Sequence, residues 1–140
     1  MRELIHTYRG TVYPWHCDHV GHMNVMWYVS KFDEATWNLF AEAGITPTYL
    51  RHNHRGMAGV QQNITYKREL YAGDVVAVRS GVLEVREKVV RFRHEMINLE
   101  TADTAAIVEL TVVHMDTTNR KSCPFPTAIL ERLQQMVIES

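Results

Sequence analysis

One helical stripe of apolar side chains constrains the fold of this chain more than any other feature of its sequence. Between Asn24 and Gly44, apolar residues recur with the 4-3-4-4 spacing of a single helix face, at Tyr28, Phe32, Ala35, Leu39 and Ala43. Further apolar side chains lie on the other faces, at Trp27, Val29, Trp37 and Phe40. A helix that is apolar around most of its circumference is buried. The pattern therefore predicts one long buried helix, with Asn24 as its N-cap and Gly44 just beyond its C-terminus.

Alternating strand patterns make up most of the remaining chain. One strand is predicted before the helix and four antiparallel strands after it, at about residues 5–13, 60–66, 75–85, 90–98 and 106–116. Gly81 is the predicted site of a bulge, residues 46–59 are predicted as a short turn or helix followed by a basic loop, and a short amphipathic helix follows Pro126. A single sheet buries a single helix by curling around it, which predicts the α+β class. The outer face and an edge strand of such a sheet stay uncovered, which favours an oligomer.

The composition limits the classes of partner. Lys and Arg total 15 and Asp and Glu total 16, so the formal net charge of -1 argues against a nucleic-acid ligand. No apolar run approaches the ~18 residues of a membrane span, and the first residues lack the apolar stretch of a secretory signal. Two cysteines, Cys17 and Cys123, form no disulfide framework, so a reducing compartment is expected. We predict a cytoplasmic protein with a single domain over residues 1–140 and without a membrane partner.

The residues that carry chemistry lie in the loop between the first strand and the helix. Three of the eight histidines fall within residues 16–22, and Asp18 precedes the predicted cap Asn24 by six positions. A helix N-terminus presents unpaired backbone N–H groups and the positive end of a dipole, which together stabilise an oxyanion. A carboxylate beside such a group can attack a carbonyl or deprotonate water. Taken alone, Asp18 is interpreted equally well as a turn or capping residue.

A metal site is the competing interpretation of this loop. Five of its side chains are potential zinc ligands, namely His16, Cys17, Asp18, His19 and His22. Structural zinc sites usually pair two close ligands with a second, distant pair, and Cys123 is a weak candidate for such a pair, so we predict no metal.

Other polar residues have both a structural and a functional interpretation. His94 lies on the apolar face of its strand and is predicted to be a hydrogen-bonded core histidine. The basic loop residues His52, His54 and Arg55 can meet either an anion or solvent. The same choice between phosphate binding and surface charge applies to the cations near two turns, Lys88, Arg91, Arg93, Arg120 and Lys121.

Residues 18–24, together with Tyr28, resemble the D-x-x-G-H-x-N-x-x-x-Y signature of hotdog-fold acyl-CoA thioesterases, the relatives of 4-hydroxybenzoyl-CoA thioesterase. Residues 64–74, 92–98 and 116–121 agree with the same family, so the resemblance covers residues from about 5 to 126. The loop is its most specific part, whereas the strand motifs mostly indicate the fold.

The resemblance implies a hotdog fold, in which a five-stranded antiparallel sheet wraps around one long buried helix. It implies a homodimer or homotetramer with its sites at the subunit interface, and hydrolysis of acyl-CoA to a free acid and coenzyme A without a cofactor. Asp18 falls on the catalytic carboxylate, as nucleophile or general base. The amide of Val25 falls on the group that polarises the thioester carbonyl, with Asn24 and His22 shaping the turn. Basic residues would bind the phosphates of coenzyme A, for which we name Lys88 and Arg91.

One departure from the family pattern, and one feature of a different clade, leave alternatives open. His16 and His19 stand where many relatives carry other residues, and a different clade uses a helix carboxylate, for which Asp33 and Glu34 are second choices. One alternative activity is hydration or dehydration of an acyl thioester, with His22 or His16 acting beside Asp18. Another is a non-catalytic acyl-CoA-binding module. The acyl group, and the choice between coenzyme A and an acyl carrier protein, are left open by the sequence.

Overall fold

The computed structural model describes residues 3–138 as one long helix packed against an antiparallel sheet, with two short helices. The strands are β1 (Ile5–Thr11), β2 (Arg55–Tyr66), β3 (Val75–Val85), β4 (Val89–Asn98), β5 (Thr104–Asp116) and β6 (Lys121–Ser122). The helices are α1 (Val25–Glu42), α2 (Pro47–Asn53) and α3 (Thr127–Gln135), and Pro14–His16 form a short 3₁₀ turn.

The sheet has the strand order β1-β3-β4-β5-β2, and β6 pairs with β5. Every pairing is antiparallel, and β1 and β2 are the two edges of the long-stranded sheet. The predicted order of one strand, one long helix, four strands and a short helix is confirmed, as is the α+β class with a curled sheet around α1. The two-residue strand β6 is an addition that the sequence did not predict.

The predicted helical stripe forms the centre of the core. Tyr28, Phe32, Ala35, Leu39 and Ala43 are each at most 4% exposed. Two apolar clusters pack along the helix. The first joins its N-terminal half to β3, β4 and β5, and the second joins its C-terminal half to the sheet and to α3 through Ile129 and Leu133. Because side chains alternate along a strand, the opposite face of the sheet carries the charged residues of β4 and β5.

The prediction of a buried helix is confirmed for the face of α1 that packs against the sheet, whereas part of its outer side is exposed in the single chain. Val29 and Trp37 are 36% and 43% exposed, and Met26 is 59% exposed. The sheet covers one face of the helix, so these side chains form an apolar belt on its outer side. Among residues 3–138, no helix has both the length and the apolar character that a membrane crossing requires.

Local predictions at turns are partly confirmed. Asn24 caps α1, and Gly44 follows its C-terminus with a φ of +89°, which favours glycine. The predicted basic loop is shorter than expected, because His54 ends α2 in the left-handed region and β2 begins at Arg55. The predicted bulge at Gly81 is wrong. The register shift lies between Val82 and Glu84, and at Gly81 the side chain of Ile138 approaches too closely to leave room for a Cβ.

A buried polar chain separates the two apolar clusters. His94 is fully buried, stacks on Phe32, and shares hydrogen bonds with Thr36 Oγ1 at 2.8 Å and with the hydroxyl of Ser80. Ser80 in turn shares a 2.7 Å hydrogen bond with Thr7. Burial lowers the pKa of His94 to about 3, so the ring is neutral in the folded protein. The prediction of a hydrogen-bonded core histidine is confirmed.

This histidine makes the fold sensitive to acid. In the unfolded chain His94 takes up a proton near its ordinary pKa of 6.5, whereas in the folded chain it stays neutral until about pH 3. The free energy of unfolding therefore falls as the pH drops from about 6.5 towards 3, by up to about 1.4 kcal/mol per pH unit from this group. Urea titrations of the wild type and of His94→Gln measure the effect. We expect a shallower pH dependence in the variant, and equal slopes would contradict the assignment.

Candidate active site

The loop between the 3₁₀ turn and α1 is closed at its base by backbone hydrogen bonds. Cys17 and Met23 form an isolated β-bridge, and the Asn24 amide donates to the His16 carbonyl over 2.9 Å. Gly21 has a φ of +106°, which allows the chain to reverse between these anchors. The loop is also hydrogen-bonded to the segment that follows β2, because the Met23 amide donates to the Leu70 carbonyl over 2.7 Å. The sequence thus folds Asp18 back towards the start of α1.

The side chain of Asn24 connects Asp18 to the helix N-terminus. Its Oδ1 accepts a 3.0 Å hydrogen bond from the Met26 amide, which caps α1. Its Nδ2 donates a 2.9 Å hydrogen bond to Oδ2 of Asp18. The Val20 amide donates to the other carboxylate oxygen, also over 2.9 Å. One side chain therefore lies between the carboxylate and the positive end of the helix dipole.

These hydrogen bonds determine the charge of Asp18. The hydrogen bond from Asn24, followed by that from the Val20 amide, holds the pKa of Asp18 below its ordinary value. His22 and His19 lower the pKa of the same carboxyl further by their nearby charge. The side chain is thus an ionised carboxylate at neutral pH, which accepts a proton or attacks an electrophile.

Val25 has an unpaired backbone N–H at the N-terminus of α1. It is the first residue of α1, it is 56% exposed, and within residues 3–138 its backbone N–H donates no hydrogen bond. It faces a groove of about 310 Å³ that is lined by His22, Met23, Val25, Tyr28, Tyr66, Lys67, Arg68 and Glu69. An unpaired N–H at a helix N-terminus is suited to bind an oxyanion.

Tyr28 joins α1 to the segment that follows β2. Its hydroxyl donates a 3.2 Å hydrogen bond to the Arg68 carbonyl, and its ring packs edge-to-face against Tyr66. Burial raises the pKa of Tyr28 to about 12, so the phenol stays protonated. This contact brings Lys67 and Arg68 to the groove. Neither cation was predicted to lie there from the sequence, although the motif at residues 64–74 contains both.

The histidines of the loop have separate environments. His16 is buried, its Nδ1 accepts a 3.0 Å hydrogen bond from the Tyr13 amide, and its ring lies 4.3 Å from that of Trp27. Burial lowers the pKa of His16. His22 lies beside the groove with its Nε2 3.6 Å from the carboxylate of Glu69. In the described part of the chain, no three His, Cys, Asp or Glu side chains converge as a metal site.

The structure does not bring Lys88 and Arg91 to this groove. Arg91 lies 3.5 Å from Glu84 and 3.6 Å from Glu109. Its neighbours Val90 and Phe92 point into the core, so Arg91 lies on the face of the sheet that is turned away from α1. Their contact with coenzyme A stays a prediction.

The helix carboxylates named as second choices lie farther along α1. Asp33 lines a small pocket between α1 and β2 together with Trp37, Met57 and Gln62. At a rise of about 1.5 Å per residue, it lies about 12 Å along the axis from Val25.

The sequence of this chain is similar to known thioesterases. A family model described as the thioesterase-like superfamily matches residues 12–133. Betainyl-CoA thioesterase from Pseudomonas aeruginosa is 23% identical over 136 residues, which cover 97% of this chain and 86% of that protein. L-carnitine dehydrogenase/betainyl-CoA thioesterase from Agrobacterium fabrum is 27% identical over 119 residues. That alignment covers 85% of this chain, which spans only 24% of the Agrobacterium protein.

The fold also matches solved structures. A hypothetical protein from Staphylococcus aureus, solved in complex with CoA, superimposes with a TM-score of 0.91 at 18% identity. The match covers 100% of this chain and 89% of that one. At this identity the likeness demonstrates the shared fold alone.

Replacement of Asn24 by serine separates its two hydrogen bonds. Serine is a good N-cap, so α1 keeps its cap, but its shorter side chain lacks the amide N–H₂ group that reaches and donates to Asp18. We expect the pKa of Asp18 to rise towards its ordinary value, because the Asn24 hydrogen bond is the largest cause of its depression. Carbon-13 NMR titration of the Asp18 carboxyl measures this shift, with Asn38→Ser on the same helix as the control. An unchanged pKa in Asn24→Ser would contradict the coupling.

Proposed function

Since this chain belongs to the thioesterase-like superfamily, we propose that it hydrolyses acyl-CoA thioesters to a free carboxylic acid and coenzyme A. Thioester hydrolysis is the activity that the names of both relatives share, although the Agrobacterium protein is also named as an L-carnitine dehydrogenase. The observation that carries the proposal is the side chain of Asn24, which donates to the ionised carboxylate of Asp18 and caps α1 at the Met26 amide, one residue from the open N–H of Val25. Betainyl-CoA is the first substrate to test because both relatives carry its name.

In the proposed mechanism, the thioester carbonyl oxygen accepts the Val25 N–H, and the helix dipole stabilises the negative charge that develops there. Asp18 then acts in one of two ways. As nucleophile it bonds to the carbonyl carbon and expels the coenzyme A thiolate, and water hydrolyses the resulting anhydride. As general base it takes a proton from a water that attacks the same carbon. Both routes need the same arrangement of carboxylate and amide, and neither needs a metal or an organic cofactor.

His22 and Asn24 have supporting roles in this proposal. Asn24 orients the carboxylate and keeps it ionised. The His22 carbonyl accepts a 3.2 Å hydrogen bond from the Asp18 amide, which shapes the turn from the backbone side.

The observations do not favour the alternative activities. Hydration of an enoyl thioester needs a histidine and a carboxylate acting as a pair, but both Asp18 oxygens accept hydrogen bonds from Val20 and Asn24 rather than from His16 or His22. A non-catalytic binding module has no need for an ionised carboxylate beside an open amide. Hydrolysis is therefore the single function that we propose.

We further propose that two copies pair along β2. This edge strand carries no charged side chain from Gly56 to Tyr66, and most of its residues from Gly59 onward are exposed. Soluble proteins usually protect such an edge with charges, so a 12-residue edge strand whose only charged residue is Arg55 at its start is suited to pair with another strand. The other edge, β1, is shorter and carries His6 and Arg9. The exposed apolar belt of α1 lies on the same side as β2 and adds to the surface that a second copy covers.

The Asp18→Asn variant tests the catalytic proposal. The amide keeps the hydrogen-bond acceptor for Val20 but neither attacks nor removes a proton, so we expect kcat to fall about 10²- to 10⁴-fold. Thiol release from a panel of acyl-CoA thioesters that includes betainyl-CoA measures the rate. Monitoring enoyl absorbance in the same samples detects hydration.

Asp33→Asn is the matched control, because it removes a carboxylate from the outer side of α1. We expect it to keep the wild-type kcat. Full activity of Asp18→Asn, or loss of activity only in Asp33→Asn, would show that Asp18 is not the catalytic carboxylate.

Replacement of Val60 by lysine tests the β2 dimer. Val60 is 61% exposed and lies at the register shift in the middle of β2, so the added charge lies outside the core and at the proposed interface. We expect the dimer dissociation constant to rise about tenfold or more. Sedimentation velocity measures it, with Ile5→Lys on the β1 edge as control. The proposal fails if Ile5→Lys dissociates the protein and Val60→Lys does not.

A further inference from the structure

A second groove lies on another side of α1, between the helix and the edge strand β1. Its volume is about 410 Å³, and its walls include Tyr8 and Thr11 of β1, Trp15 of the 3₁₀ turn, and Trp27 and Lys31 of α1. We call it the β1 groove. It shares no residue with the candidate active-site groove, and β1 and β2 are opposite edges of the sheet. The β1 groove therefore stays open in the proposed β2 dimer.

The shape of β1 directs Tyr8 towards this groove. The pairing of β1 with β3 shifts register between His6 and Tyr8, which places a β-bulge at Thr7. Beyond the bulge, Tyr8, Gly10 and Val12 share one face of the strand, and Val12 is fully buried in the core under α1. A Cβ at Gly10 would collide with the ring of Tyr8. The glycine therefore leaves room for the Tyr8 side chain on the face that is turned to the helix.

Lys31 is a buried cation in the wall of the β1 groove. It is only 3% exposed, and its Nζ donates to the hydroxyl of Tyr8 and to the carbonyl of Thr11, each over 3.3 Å. Burial, followed by the charge of Glu34, raises the pKa of Tyr8, so the phenol is neutral. Neither acceptor carries a negative charge. Because an ammonium group has three N–H donors, these two bonds leave one donor for a ligand.

The described residues give Lys31 no ion partner. No carboxylate of residues 3–138 forms a salt bridge with it. Burial lowers the pKa of Lys31, and the charge of Glu34 only opposes this shift. The other basic group of the groove, His16, has its pKa lowered by burial and then by the charge of Lys31. A buried charge without an ion partner is unfavourable, so an anion bound at the free N–H would stabilise this lysine.

Aromatic side chains determine the direction in which a ligand extends from Lys31. Trp27 lies one turn before Lys31 on the same face of α1, and Glu34 lies one turn after it. Trp15 stacks on Tyr13 with 4.6 Å between ring centroids, and 66% of its surface is exposed. An apolar group attached to the anion is therefore favoured towards the two indoles and away from the carboxylate of Glu34.

We propose that the β1 groove binds an aromatic carboxylate, with its head group on Nζ of Lys31 and its ring against the indoles of Trp15 and Trp27. The carboxylate forms a charge-assisted hydrogen bond with the free donor, and the ring buries apolar surface against the indoles. A second negative charge on the ligand would be repelled by Glu34, and a cationic ligand would be repelled by Lys31. This site goes beyond the proposed hydrolysis and does not depend on it.

Sodium 2-naphthoate is the probe, because it combines one carboxylate with a flat apolar body. The chain has three tryptophans, of which Trp15 and Trp27 line the β1 groove and Trp37 lines the small pocket beside β2. In a nitrogen-15 NMR titration of the wild type, we expect saturable shifts of the first two indole signals and none at Trp37. Acetate lacks the ring and 2-naphthylmethanol lacks the charge, so each should bind about tenfold or more weakly than naphthoate.

The Lys31→Met variant tests the contact with the head group. Methionine fills the buried space without the charge, and replacement of a buried ion by an apolar side chain is often neutral for stability. We expect the Kd of naphthoate to rise about tenfold or more, because a charge-assisted hydrogen bond is lost. Lys67→Met is the matched control, since it removes a cation from the groove at Val25 instead, and its Kd should equal that of the wild type.

The Trp15→Ala variant tests the ring contact independently of Lys31. Because this indole is mostly exposed, its removal leaves the core intact, so the test holds even if Lys31→Met does not fold. We expect naphthoate to bind about threefold or more weakly. Four results would overturn the proposal: no binding of naphthoate to the wild type, shifts at Trp37 alone, weaker binding in Lys67→Met, or an unchanged Kd in either Lys31→Met or Trp15→Ala.

Discussion

The side-chain amide of Asn24 is the contact on which the candidate site depends. Its oxygen caps α1 and its nitrogen holds the carboxylate of Asp18, so the position of the loop follows the position of the helix. The helix is itself fixed, because its inner face is buried in the core on both sides of the His94 network. The carboxylate of Asp18 is thereby held in place by a helix that is fixed in the core. Acid–base and nucleophilic groups require such rigid positioning.

A second constraint follows from the use of one sheet to bury one helix. The sheet covers the inner face of α1 and leaves Met26, Val29 and Trp37 exposed beside the edge strand β2, which is uncharged from Gly56 to Tyr66. The apolar surface and the open edge lie next to the groove that contains Val25. The surface that we propose to pair with a second subunit therefore lies next to the candidate site, an arrangement that would allow two chains to share that site.

The accuracy of the sequence predictions depended on the range of the interactions involved. The bounds of β3, the cap at Asn24 and the glycine after α1 were predicted correctly, because periodicity and capping are local. The start of β2 was missed because strand pairing with β5 extends it through a polar segment. Gly81 was predicted to form a bulge. The need for glycine there is instead explained by Ile138, whose side chain approaches from the far end of the chain and leaves no room for a Cβ. Asp18 and Val25 were named together from the loop motif, and their catalytic roles stay predictions.

The sequence by itself determined the helix, the strands and the loop that carries Asp18, because each depends on spacing between residues close in the chain. Only the tertiary structure decided which cations stand near that loop. Tyr28 contacts the Arg68 carbonyl across 40 positions and brings Lys67 and Arg68 to the groove, whereas Arg91 lies on the other face of the sheet with Glu84 and Glu109. Strand register and side-chain alternation determine these neighbours, and neither can be read from the charge of a residue or its distance along the chain.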